Sequence, residues 1–222
     1  FLNINILAPV LETRVAGDHD KTSLHWAAEL DHIDVARTLV DAGGDIEAKT
    51  SWGASPLEWA ATMGSSRVAD FLLSRGASRF TLLVAAALGK LKDVEEFIES
   101  GAHLAKMTSA LVPDDHWPAD SARILGDTIS DALYAAGRNG HSEVVEYLLA
   151  RGANIDAKGV FGGTALHWAA INGHAGTVEL LVSRGANIAL KDARFGATPE
   201  GWANEGSHPD IVALLRRRPP TT

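Results

Sequence analysis

Thr22-Ser-Leu-His-Trp-Ala-Ala28 returns as Ser55-Pro-Leu-Glu-Trp-Ala-Ala61, as Thr164-Ala-Leu-His-Trp-Ala-Ala170 and, decayed, as Thr198-Pro-Glu-Gly-Trp-Ala-Asn204. Leu24 to Leu57 is 33 residues, and Trp168 to Trp202 is 34. A second landmark trails at the same period: Val40-Asp-Ala-Gly-Gly-Asp-Ile46, Leu73-Ser-Arg-Gly-Ala77, Leu149-Ala-Arg-Gly-Ala-Asn-Ile155 and Val182-Ser-Arg-Gly-Ala-Asn-Ile188. A fixed period of this length makes each copy one supersecondary unit, which must stack on its neighbours because it cannot bury its apolar face alone.

One unit shows how this works. Pro56 opens a short helix at the first-turn position, where no N–H is needed, and Leu57, Ala60 and Ala61 form an apolar face at i, i+3 and i+4. Alanines on that face let the next helix approach closely. A second helix follows with Val68, Phe71 and Leu72 inward, closed by Gly76, the left-handed residue that commonly ends a helix.

At these residues the chain resembles the ankyrin repeat family, whose signature runs Thr-Pro-Leu-His-x-Ala-Ala, then Gly-His, then an apolar helix closing at Gly-Ala. The likeness covers roughly residues 18 to 216. It implies an all-α ankyrin-repeat solenoid of about six helix-turn-helix units with short hairpin fingers. The arrangement also resembles bacterial ankyrin proteins, a likeness that carries no activity with it. Two irregularities interrupt the register. Only 25 residues separate Gly76 from Gly101, which shortens one finger, and 51 separate Gly101 from Gly152, which inserts a segment. The expected organisation is therefore an N-terminal segment or cap remnant at 1–17, units one to three at 18–103, an insertion at 104–127, units four to six at 128–216 and a tail at 217–222.

With 46% hydrophobic and 22% charged residues in 222, the chain can bury a core. No apolar run reaches the length of a membrane span. No cysteine is present, which excludes disulfides and thiolate zinc sites and suits a reducing, cytoplasmic setting. A net charge of −8, with only Arg216 to Arg218 as a basic cluster, argues against nucleic acid as partner and leads us to expect a neutral or basic one. The chain opens on Phe1 without an initiator Met or a signal-peptide pattern, so we expect the natural N-terminus to lie upstream or to be processed.

Nine histidines invite a metal or acid-base reading, and repeat position disposes of six of them. His25 and His167 hold the signature place; His32, His141, His174 and His208 hold the turn between helices, with Asp31 and Ser207 replacing glycine before two of them. The resemblance implies framework roles for these, separated by whole repeats. No cofactor or metal is expected, since phosphate-loop, zinc-protease, nucleophile-elbow and calcium-loop patterns are all missing.

Two aromatic ladders run through the repeats. Trp26, Trp59, Trp168 and Trp202 share one register position, either as spacers between first helices or as partly exposed indoles lining the concave side. His19, Trp52, Phe161 and Phe195 each stand five residues before the signature leucine position, the last three ahead of the tip glycines Gly53, Gly162 and Gly196, where they stack tip to tip or meet a partner. The insertion adds Val112-Pro-Asp-Asp-His-Trp-Pro118. We expect a non-enzymatic module binding a protein or peptide through Trp52, Phe161, Phe195, Trp117, Trp59 and Trp168. The alternative is a small-molecule site or enzyme using Asp114, Asp115 and His116 against the concave groove.

Overall fold

The computed structural model describes residues 20–51, 53–78, 80–101, 128–159 and 162–216, which form twelve α-helices in six consecutive pairs. They are α1 (Ser23–Glu29) with α2 (Ile33–Asp41), α3 (Pro56–Met63) with α4 (Ser66–Ser74), and α5 (Leu82–Ala87) with α6 (Leu91–Glu99). Then come α7 (Thr128–Arg138) with α8 (Ser142–Ala150), α9 (Ala165–Ile171) with α10 (Ala175–Ser183), and α11 (Pro199–Glu205) with α12 (Pro209–Arg216). The segments 1–17, 104–127 and 217–222 lie outside the described residues.

The first helices α1, α3, α5, α9 and α11 start where a Ser or Thr in extended backbone supplies the missing acceptor. Ser55 Oγ accepts from Glu58 N at 3.3 Å while Ser55 N donates to Glu58 Oε2 at 2.8 Å, which closes a capping box. Pro56 occupies the first helical turn as expected, and Pro199 does the same in α11. Leu24, Leu57, Leu133 and Leu166 are all buried, together with Ala60, Ala61, Ala169 and Ala170, so leucine fills the core and alanine sets the close approach of neighbouring first helices.

The chain divides into two compact units, Phe1–Phe80 and Thr81–Thr222, at the shortened link after Gly76. The third pair thus belongs with pairs four to six. In the first unit α1 lies against α3 and α2 against α4. In the second, α5, α7, α9 and α11 pack in succession, and α6, α8, α10 and α12 form the other row. Because α5 and α7 are direct neighbours, the 104–127 segment leaves the stacking register of the third and fourth repeats intact.

Asp31 and Ser207 adopt the left-handed backbone of the glycines they replace, with φ of 51° and 61°. For Asp31 a cross-repeat contact explains the exchange. Val68 N, in the first turn of α4, donates to Asp31 Oδ1 at 3.1 Å, and Arg67 Nε donates to Oδ2 at 2.8 Å. The second repeat carries Ser65 where the first, fourth, fifth and sixth carry the turn histidine, and Ser65 makes no side-chain cap bond; a carboxylate from the preceding repeat caps this helix instead.

Candidate functional site

The fingers are short hairpins held by backbone. Thr50 N donates to Ala54 O at 3.0 Å in the first unit; in the second, Lys158 and Thr164 form an antiparallel bridge and Asp192 N donates to Ala197 O at 2.9 Å. Trp52 and Phe161, two of the expected tip anchors, lie outside the described residues, as do His19, Trp117, Asp114, Asp115 and His116.

Phe195 stands on the last finger, and Asp192 places it there. The Asp192 carboxylate accepts N–H groups from Arg194 at 2.8 Å, Phe195 at 2.6 Å and Ala197 at 2.8 Å, with Trp202 Nε1 at 3.0 Å. Burial pushes this carboxyl up, yet the donors of Phe195, Trp202, Ala197 and Arg194 outweigh burial and hold it below the usual carboxylate range. An ionised, fully bonded Asp192 therefore locks the loop, leaving the Phe195 ring 64% exposed with the Arg194 guanidinium 5.3 Å from its centre.

From that tip an aromatic row runs inward. Phe195 lies 6.5 Å from Trp202, and Trp202 lies 5.0 Å from Trp168, both edge to face. The Arg138 guanidinium sits over Trp168 at 4.0 Å. Trp202 is buried and Trp168 half-buried.

The first unit treats the same register differently. Trp59 is 6% exposed and donates Nε1 to Glu29 Oε2 at 3.0 Å. The same oxygen accepts Lys21 Nζ at 2.7 Å, and that ammonium lies 4.2 Å from the Trp26 ring and 4.8 Å from Trp59. Trp59 is thus a packing spacer between first helices, which corrects its expected role as an exposed anchor; its indole is covered by the chain's own Lys21–Glu29 pair.

The histidines build the framework. His25 Nδ1 accepts from Thr22 N at 3.2 Å, so the neutral ring carries its proton on Nε2, which donates to Ala54 O at 3.0 Å. His167 repeats the pattern between Thr164 N and Ala197 O. His141 and His208 place Nε2 at 3.0 Å from Ala87 O and 3.1 Å from Ile171 O, and His174 bonds the backbone of Arg138. Burial holds His141, His167 and His174 below the ordinary imidazole value. His32, in the first repeat, is exposed. Sequence reading missed Asn139 and Asn172, whose amides donate to Ala87 O and Arg138 O beside the turn histidines; the recurring Asn-Gly-His triplet was the available signal. Among the described residues, no three His, Asp or Glu side chains form a metal-holding group.

Residues 4–80, 81–192 and 132–219 match the family description "Ankyrin repeats (3 copies)", and the chain belongs to the ankyrin repeat family. Ankyrin repeats are in general protein-interaction modules. The chain is 41% identical over 56 residues to human Ankyrin repeat domain-containing protein 63, which covers 25% of this chain and 15% of that one. It is 30% identical over 148 residues to Ankyrin repeat and KH domain-containing protein mask-1 of Caenorhabditis elegans, covering 64% of this chain and 5% of that one. An ankyrin repeat protein of fowlpox virus is 23% identical over 172 residues, covering 74% and 27%. The chain therefore spans between 5% and 27% of the length of these relatives. Their animal and viral sources lend the bacterial likeness no support. No helix among the described residues is long and apolar enough to cross a membrane.

Proposed function

We propose that this chain is a non-enzymatic module that takes a protein or peptide segment through its finger tips and the adjoining side of its first helices. The observation that carries the reading is Phe195, a large aromatic left 64% exposed on a loop that Asp192 holds in one shape. A fixed, exposed ring loses little entropy on binding and offers large contact area. Trp52 and Phe161 share its register position in the sequence, Trp117 stands in the 104–127 segment, and half-buried Trp168 extends the row inward; these complete the proposed anchors. The reading requires no metal or cofactor, and the lack of cysteine fits a reducing, cytoplasmic setting. The test is selection of random displayed peptides on the full chain. Peptides that bind and lose about tenfold or more in Phe195→Ala support it. Peptides indifferent to both Phe195→Ala and Trp168→Ala place the interface elsewhere.

A further inference from the structure

The chain holds two Asn-Gly steps, Asn139-Gly140 and Asn172-Gly173, and the asparagine of each donates to a carbonyl of the preceding repeat. Such a step carries a chemistry of its own. Glycine presents the least hindered backbone nitrogen, which, on giving up its proton, can attack the side-chain carbonyl carbon of the asparagine before it. The bond from Gly N to Asn Cγ forms, the Cγ–Nδ2 bond breaks, and the amide leaves as ammonia with a proton in place of the one given up. Water then opens the five-membered imide at either carbonyl, leaving aspartate or its β-linked isomer. No electrons change hands.

The folded junctions hold both steps back. At Asn172 φ is −88° and ψ 2°, which eclipses Gly173 N with the backbone nitrogen of Asn172 instead of its Cβ, so the ring cannot close until that peptide turns. Gly173 N is engaged on Ala170 O at 3.4 Å, Asn172 Nδ2 donates to Arg138 O at 2.9 Å, and the His208 ring of the sixth repeat covers the glycine. Gly140 is covered in the same way by His174 of the fifth repeat. The two locks differ in what holds them. His174 belongs to a pair packed on both sides, with α9 between α7 and α11 and α10 between α8 and α12. His208 belongs to the sixth pair, which packs on the fifth from one side. Its first helix departs furthest from the signature: Glu200 stands at the leucine position, and Gly201, a poor helix former, lies inside a helix of seven residues. Asn172 is also exposed where Asn139 is half-buried.

We infer that Asn172 is a site of spontaneous deamidation, gated by local release of the sixth repeat, and that Asn139 stays closed while the fifth repeat is in place. In a stacked array such openings follow the weakest neighbour contacts. The product works against the joint that carries it. Aspartate at 172 sets a carboxylate against the Arg138 carbonyl, acceptor against acceptor, and the β-linked isomer lengthens the turn between α9 and α10 by one backbone carbon. His174 bonds the same Arg138 backbone, so the damage falls on the joint of the fourth and fifth repeats.

Peptide mass mapping of the full chain, aged at mildly alkaline pH with and without urea, tests this. In urea the two sites should react alike, since both read Asn-Gly-His. In the folded chain both should slow, with Asn172 ahead of Asn139 by about tenfold or more. Leu215→Ala, which weakens the sixth repeat through its buried core and touches neither asparagine, should speed Asn172 alone. Asn172→Asp, made directly, should lower the urea midpoint. Equal folded rates, Asn139 ahead of Asn172, no reaction at Asn172, or Leu215→Ala acting on both sites or on neither overturns the gating. An Asn172→Asp chain as stable as the parent overturns the loosening of the joint.

Discussion

The imidazole of His141 lies over Gly89, so close that a Cβ on that glycine would fall 2.5 Å from His141 Nδ1. Gly140 stands in the same relation to His174, and Gly173 to His208, each at 2.6 Å. In each case the ring belongs to the next repeat and bonds a backbone group at the end of the first helix before the covered glycine. One residue pair thus fixes the turn and the stacking of adjacent repeats together.

Gly89→Ala should cost more than Gly152→Ala. Both glycines have positive φ, 69° and 90°, but nothing lies within 4 Å of a Cβ at Gly152. Gly152→Ala therefore meets only the left-handed backbone penalty of about 1–2 kcal/mol. Gly89→Ala adds the collision with His141, a further amount on the order of 1–3 kcal/mol. Equal losses in urea unfolding would show that the ring moves aside freely.

Asp31→Gly should be milder than Asp31→Ala. Either change removes the cap on Val68 N, worth about 0.5–2 kcal/mol. Only glycine relieves the positive φ of 51° at that position, so the two variants should differ by about 1 kcal/mol. A larger loss for Asp31→Gly, by thermal or urea unfolding, would contradict the account.

Helix pairs were legible because leucine, alanine, Gly-His and Gly-Ala recur at a spacing that helix geometry and caps dictate locally. What stayed hidden depends on residues about one repeat apart. Trp59 and Trp168 share a register position, yet Lys21 and Glu29 cover the first while Arg138 stands over the second. The Asp31 cap on α4 is likewise a contact between positions 37 residues apart, beyond any local pattern. Asp192 was within reach: an Asp three residues before a tip aromatic, with glycine following, is ordinary turn chemistry.

Stability of the second unit should fall as the medium is acidified below neutrality. His141, His167 and His174 have folded values below the ordinary 6.5, chiefly through burial, so the folded state binds fewer protons than the unfolded. Their contribution is whole above pH about 6.5 and is lost as pH drops through that value toward the folded ones. Asp192 acts in a separate, lower window: its contribution is present above the ordinary 3.8 and lost as pH falls through its depressed value. Urea midpoints measured from pH about 8 to about 5 should fall, and the slope should flatten in a His141→Gln, His174→Gln double variant, whose amides keep a donor but do not titrate. An unchanged slope would assign the pH dependence to other groups.

The sharpest separation is between the exposed ring and the carboxylate beneath it. Phe195 is 64% exposed, so Phe195→Ala should move unfolding by no more than about 0.5 kcal/mol. As a central aromatic anchor it should cost about 2 kcal/mol or more in binding a selected peptide. Asp192→Asn keeps the shape but removes the charge and leaves at least one buried N–H without its acceptor, a loss of about 1–3 kcal/mol in stability. Because the loop then no longer holds Phe195 in place, binding should weaken as well, although Asp192 does not reach the partner. Trp202→Phe removes the Nε1 bond to Asp192 together with part of a buried ring packed on Trp168 and His167, so it should lose stability as well as weaken binding. Calorimetric titration and urea unfolding on all three variants decide the matter. If Asp192→Asn loses stability but binds with unchanged affinity, the tip does not need its carboxylate, and Phe195 either finds its place without it or is not an anchor.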